Sequence, residues 1–333
     1  MLMLATLREE LPRQEHSPGY NYFFRDKKLE KILHESLHDS CNIFDDFAWD
    51  TSFDASKIGS DCTHSSITGL PEFKKLTKHQ QSELKAKELI YHVSNLLAGE
   101  HKAVSLAAKI MTECPQDSLD IVYCGTAILS DERNHFMALL RYLQDKVGFH
   151  YKPHPKLQAT FDTLLAEESY EIKLFVSQIA LEWTASSLLS SLLMKNPEPL
   201  LKQILVRIIK DESRHLAFNR WVFNHMQSEQ LSRLKRSLED LFFESLVAIT
   251  ASFFAIPVWK EYELSKSECI NYTARDLEQR GVLRFYSQVL PRQLSRCNIY
   301  SDRLMSLIEN NLLKKVIEAH YSYEPSVFVG NVR

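Results

Sequence analysis

The chain of 333 residues carries 40 Lys and Arg against 43 Asp and Glu, a net charge of −3, and is 44% hydrophobic. A near-neutral balance gives no bias towards polyanions, so nucleic acid is a poor default partner, while the apolar content suffices for a sizeable core. Only 8 Gly and 11 Pro argue against a protein of many strands and for long helices.

Residues 1–26, with Pro12, Pro18 and Gly19, read as an arm. Asp26 to Phe47 predicts a first helix, and Asp50 to Phe73, rich in Ser, Thr, Asp and Gly, an irregular crossing loop. From Thr77 the pattern changes to apolar residues at i, i+3 and i+4 with almost no breakers. Helices are expected at Thr77 to Glu113, Ser118 to Lys146, Gln158 to Lys195 and Pro199 to Met226, with "CPQD" and "NPEP" as short connectors inside the two pairs and Val147 to Lys156 between them. Further helices are expected at Glu229 to about Ala255, Ser265 to Gln279, Val282 to Cys297 and Ser301 to His320. The organisation reads as an N-terminal arm, helix and loop (1–76), a four-helix unit (77–228) and C-terminal helices packing on the same domain (229–333).

The most apolar run, Ser245 to Trp259, is broken by Pro257 and is too short for a bilayer span, so no membrane partner is expected. Six Cys without a Cys-x-x-Cys pairing, and no N-terminal basic-plus-apolar signal segment, read as a reduced, cytoplasmic profile.

Three Glu-x-x-His pairs occur, whereas 27 Glu and 13 His placed at random would give about one. One lies in "HESLH" (His34 to His38), a formal match to the zinc-protease H-E-x-x-H. Only 33 residues precede it and no third-ligand pattern adjoins it, so it reads as an amphipathic surface helix. The other two pairs, Glu132/His135 and Glu212/His215, sit in apolar helical surroundings: "LSDERNHFMALL" and "IIKDESRHLAFNR".

Short connectors fold consecutive helices back antiparallel, so height in a bundle follows from distance to the turn. Glu100 lies 13 residues before Glu113, and Glu132 lies 14 after Ser118. At about 1.5 Å per residue both carboxylates stand roughly 20 Å from one turn. Glu182, 13 residues before Lys195, and Glu212, 13 after Pro199, repeat the arrangement. Four Glu and two His therefore converge at mid-bundle, and the i, i+3 spacing puts each Glu and His on one helix face. Four carboxylates in an apolar core repel one another unless cations compensate them. Two divalent metals do so, and carboxylate with imidazole suits iron or manganese. The candidate metal ligands are Glu100, Glu132, His135, Glu182, Glu212 and His215. Asp131 and Asp211 are each placed to accept a hydrogen bond from the other hairpin's His, a plain helix-surface role being the alternative. Gly99, Ala103, Ala185 and Ser186 either leave room for a substrate or allow close helix packing.

At "LPEFKKLTKHQQ", "AGEHKAV", "AILSDERNHFMALL", "ALEWTASSLLSSLL" and "IIKDESRHLAF" the chain resembles the p-aminobenzoate N-oxygenase family of di-iron oxygenases, within the ferritin-like superfamily. The resemblance spans about Pro71 to Gln227. It implies an all-α ferritin-like four-helix bundle with additional N- and C-terminal helices, the same six ligands, and two iron ions (manganese or a mixed Mn/Fe pair being the variants). It also implies O2 as co-substrate, a small-molecule substrate and an external electron donor; a homodimer is expected. A metal-storing or ferroxidase protein without an organic substrate is the other class to weigh. The family's arylamine N-oxygenases have a further His one turn before the last Glu, where this chain has Ile208. Ribonucleotide reductase small subunits place a radical Tyr one turn after the first His, where this chain has Leu139, and Tyr142 lies too far along to match. The aromatic residues Phe253, Phe254, Trp259, Phe285 and Tyr286 suit either a capped pocket or a plain core cluster.

Overall fold

The computed structural model describes residues 26–52, 65–114, 119–177, 182–194, 198–225, 228–279, 290–296, 301–321, 323 and 330–331. The fold is all-α, and its elements in chain order are α1 (Lys27–His38), α2 (Pro71–Lys75), α3 (Lys78–Glu113), α4 (Leu119–Arg141), β1 (Phe149–His150), α5 (Pro155–Ala166), α6 (Tyr170–Phe175), α7 (Glu182–Met194), α8 (Pro199–His225), α9 (Ser228–Ala251), α10 (Ile256–Glu261), α11 (Lys266–Gln279), α12 (Leu290–Arg296), α13 (Asp302–Tyr321) and β2 (Gly330–Asn331). β1 and β2 pair antiparallel over two residues.

α3 begins at a capping box in which Thr77 and Gln80 satisfy each other's backbone N–H groups, and its breaker-free sequence then runs for 36 residues. α4 continues into a wider π-turn over Tyr142–Val147. Gly148, at φ +81°, stops it by returning its N–H to the Leu143 carbonyl at 2.8 Å. α3 packs on α4, α4 on α8, α8 on α7 and α7 on α3, which closes a four-helix ring; α9 packs on α5, α6, α7 and α13 outside it.

Two expected helices are shorter than the pattern suggested. The first stops at His38 rather than Phe47 because polar side chains beyond it satisfy backbone donors in turn conformations. The Asp46 carboxylate accepts from the Asn42 N–H at 2.8 Å, and the Asn42 amide oxygen from the Phe44 N–H at 3.0 Å. The helix expected over Gln158 to Lys195 is divided at Glu167–Ser169, where the Ser169 hydroxyl accepts from the Ile172 N–H at 3.2 Å and caps α6. Of the loop expected at Asp50 to Phe73, residues 53–64 lie outside the described ones, as does the arm before Asp26. The helix expected at Val282 to Cys297 is described only from Leu290 to Arg296.

Among the described residues one segment, Leu234–Glu261, is long and apolar enough to cross a membrane, longer than the run judged from sequence. Most of it is buried inside the fold, as a core helix requires. Phe254 and Trp259 belong to this core, their rings 6.4 Å apart.

α5 and α13 are joined by a buried imidazole pair. The Lys156 N–H donates to His154 Nδ1 at 3.2 Å, so His154 Nε2 carries the hydrogen that points at His320 Nδ1, 3.3 Å away. Burial, helped by the Lys156 charge, holds His154 down to about 4. Burial, with His154 and Lys266 beside it, holds His320 down to about 3. Both folded values lie below the unfolded 6.5, so the unfolded chain takes up the protons first and stability falls as pH drops below about 6.5. We expect each His to cost about 2 kcal/mol by pH 5. Melting temperatures of His320→Gln should therefore fall less between pH 7 and pH 5 than those of the parent, and parallel pH profiles would contradict this account.

Candidate metal centre

α3 supplies Glu100, α4 supplies Glu132 and His135, α7 supplies Glu182, and α8 supplies Glu212 and His215; all six side chains are buried. They form two overlapping groups, Glu100 with Glu132, His135 and Glu212, and Glu182 with Glu132, Glu212 and His215. Within each group one ligand atom per residue lies within 4.8 Å of all the others. Glu132 and Glu212 belong to both. His135 Nδ1 stands 3.5 Å from Glu100, 3.9 Å from Glu132 and 3.6 Å from Glu212. His215 Nδ1 mirrors it at 3.2 Å from Glu132, 3.3 Å from Glu212 and 3.8 Å from Glu182.

The charges confined here oppose one another. Burial, then the charges of Glu182 and Glu100, pushes the Glu132 carboxyl well above the usual range; burial and Glu182 do the same to Glu212. Glu182 is held low against burial by its hydrogen bond with Glu212 and by His215. Both imidazoles are driven well up despite burial by the acids around them: Asp211 and Glu100 for His135, and Glu212 and Asp131 for His215. Cations are the remedy for such a cluster. The donor atoms fit that role: Glu132 Oε1, Glu212 Oε2 and both His Nδ1 atoms are buried without a hydrogen-bond partner.

Asp131 and Asp211 hold the outer nitrogens of these rings. His135 Nε2 lies 3.1 Å from Asp211 and His215 Nε2 lies 3.3 Å from Asp131, each pairing crossing from one hairpin to the other. This hydrogen bond keeps the proton on Nε2 and turns the Nδ1 lone pair into the cluster. Burial alone would raise the Asp211 carboxyl, but His135, Arg214 and Arg207 hold it low, as an ionised acceptor.

Arg214 was not singled out from the sequence, nor were Arg207 and Asp39. One amino group of Arg214 reaches both acids, Asp211 at 2.5 Å and Asp131 at 3.3 Å, and the other meets Asp39 at 3.1 Å. Arg207 reaches Asp211 at 2.9 Å and also donates to the Asp39 carbonyl. The i, i+4 spacing of Arg207 with Asp211 and the i, i+3 spacing of Asp211 with Arg214 were the available signals. Nothing local marks Asp39.

Beside the cluster lies a cavity with a mostly apolar wall and the four cluster carboxylates on one side. Gly99, Ala103 and Ala185 line it, as the substrate-room reading expected, whereas Ser186 does not. α5 contributes Leu157 and Phe161, and α9 with the residue just after it contributes Ile249 and Ser252. Phe253, Phe254 and Trp259 are not part of its wall, and Phe285 and Tyr286 lie outside the described residues.

His34, Glu35 and His38 are exposed on α1, with Glu35 paired to Lys31 at 3.6 Å. Among the described residues no third metal-binding side chain joins them. Ile208 is buried in the core one turn before Glu212, as is Leu139 one turn after His135. Tyr142 is buried beside Glu198 in the π-turn.

The sequence description p-aminobenzoate N-oxygenase AurF matches residues 24–292, well over half of the chain. The chain belongs to the AurF family. It is an oxidoreductase, an oxygenase of the non-haem dinuclear-metal class that takes a small-molecule substrate and draws electrons from a donor. Among solved structures it is similar to variants of an R2-like ligand-binding oxidase with reconstituted Mn/Fe cofactors. One aligns at TM-score 0.45 with 18% identity over 89% of this chain and 98% of that one. Another aligns at TM-score 0.47 with 18% identity over 85% and 99%. No curated protein sequence matches the chain.

Arg214 is the cation shared by the two acids that orient this AurF-family member's His pair. Arg214→Ala should weaken metal binding about tenfold or more, and Arg214→Lys should restore part of it. Chelator competition on both variants, with helicity checked by circular dichroism, decides this; unchanged metal affinity would show the guanidinium to be incidental.

Proposed function

We propose that this protein is a cytoplasmic, homodimeric di-iron oxygenase that uses O2 to N-oxygenate or hydroxylate a small organic substrate, with residues 77–228 as its catalytic unit and the C-terminal helices of 229–333 packed on the same domain. The observation that supports this is the apolar cavity walled on one side by Glu100, Glu132, Glu182 and Glu212. A ferroxidase has no use for such a chamber.

In this reading Glu100, Glu132, His135 and Glu212 would hold one metal, and Glu132, Glu182, Glu212 and His215 the other. The bound metals would supply the redox chemistry that activates O2. The protein's own part is to present Nδ1 of each His with the proton kept on Nε2 by Asp211 or Asp131, to neutralise those acids through Arg214, and to exclude water with the apolar wall. Iron or manganese suits this donor set.

Elemental analysis should find close to two metal ions per chain; a single tightly bound zinc at His34 and His38 would overturn the assignment. Glu212→Ala should abolish oxygen uptake by the reduced protein, whereas Glu35→Ala should leave it unchanged, and equal losses would contradict the ligand set. With Ile208 in place of a further imidazole, p-aminobenzoate should be a poor substrate for N-oxygenation. Efficient formation of the nitro product on incubation with O2 would show that six ligands suffice.

A further inference from the structure

The cavity beside the carboxylate cluster has a wall whose chemistry selects its ligand. Large apolar side chains dominate it: Leu96, Leu106, Leu157, Phe161, Leu188 and Ile249. The polar exceptions that are not cluster carboxylates are Asn95, Ser177 and Ser252. Ser252 donates its hydroxyl hydrogen to the Ile249 carbonyl at 2.7 Å, and Ser177 donates its own to the Leu174 carbonyl at 3.4 Å. With those hydrogens used, each hydroxyl presents lone pairs to a ligand. Asn95 donates one amide hydrogen to the Tyr91 carbonyl at 3.0 Å and accepts from the His154 N–H at 2.8 Å.

Lysines near this wall have partners of their own. Lys102 pairs with Asp162 at 2.8 Å, Lys109 donates to the Leu165 carbonyl at 2.5 Å, Lys156 pairs with Glu244, and Lys173, buried one turn before Ser177, pairs with Glu113. Residues 177–188, which flank Glu182, contain no Lys, Arg or His. Two divalent ions would balance the four carboxylates and leave no net positive field in the chamber. A carboxylate entering here would lose its hydration and, among the described residues, meet no cationic side chain in the wall, and that cost falls on binding.

We infer that the site takes a neutral, largely apolar molecule bearing a hydrogen-bond donor such as an amine or hydroxyl, and discriminates against carboxylates. The inference rests on the oxygenase reading only for what happens after binding. Metal-loaded protein, kept anaerobic, would be titrated calorimetrically with p-toluidine, with p-aminobenzamide and with p-aminobenzoate, the last two being near-isosteric and differing in charge. Both neutral amines should bind at least tenfold more tightly than p-aminobenzoate. Equal or tighter binding of p-aminobenzoate, or no binding of any of the three, would overturn the inference. Leu157→Arg, which places a cation in the wall, should narrow or reverse the preference; if that variant does not fold, the parent series still decides. Neutral binding without oxygen uptake by the reduced protein would support this ligand class and sink only the oxygenase reading.

Discussion

Four carboxylates sit together buried in a helical core, and the rest of the structure follows from keeping them there. Glu100, Glu132, Glu182 and Glu212 come from four different helices, so no local rearrangement separates them without opening the ring. Burial and the neighbouring acids raise the carboxyls of Glu132 and Glu212, and the acids around them raise the two imidazoles. A core paired this way is costly unless cations are supplied, which makes metal binding and integrity of the ring two aspects of one balance. Sharing Glu132 and Glu212 between the two groups lets six side chains serve two positions.

Around this cluster the charges alternate in layers. The imidazoles are oriented by Asp131 and Asp211, the two acids are joined by Arg214, and the guanidinium reaches Asp39 at the end of α1. Each layer neutralises the one inside it, and the chain of contacts runs from the buried core to Lys210 at the surface, 2.7 Å from Asp39. The N-terminal helix thereby becomes part of the support of the site, although the residues in it that look most like a metal motif face solvent.

The bundle alone would leave the cluster open on one side. α5 and α9 add Leu157, Phe161 and Ile249 to the wall on that side and shape the gap between helices into a cavity. The small residues Gly99, Ala103 and Ala185 keep that chamber from being filled by the bundle's own side chains. This combination of a polar floor and an apolar lid separates an enzyme that handles an organic molecule from a protein that only stores metal.

Much of the site was legible in the sequence because its determinants are local or periodic. A Glu and a His three apart on a helix share a face wherever that helix goes, and two hairpins with short connectors set Glu100 level with Glu132 and Glu182 level with Glu212. The all-helical class followed from scarce breakers and the apolar period. Helix ends were less legible: Ser169 and Asn42 end or divide helices through single hydrogen bonds that compete with an otherwise continuous pattern. What only the tertiary structure decided are the contacts between distant positions. Asp39 meets Arg214 across 175 residues, and Ile249 and Ser252 complete a chamber whose floor is set by Glu100 and Glu132. Side chains joined over such separations leave no periodic trace in the chain, since their proximity is created by helix packing rather than by spacing along one helix.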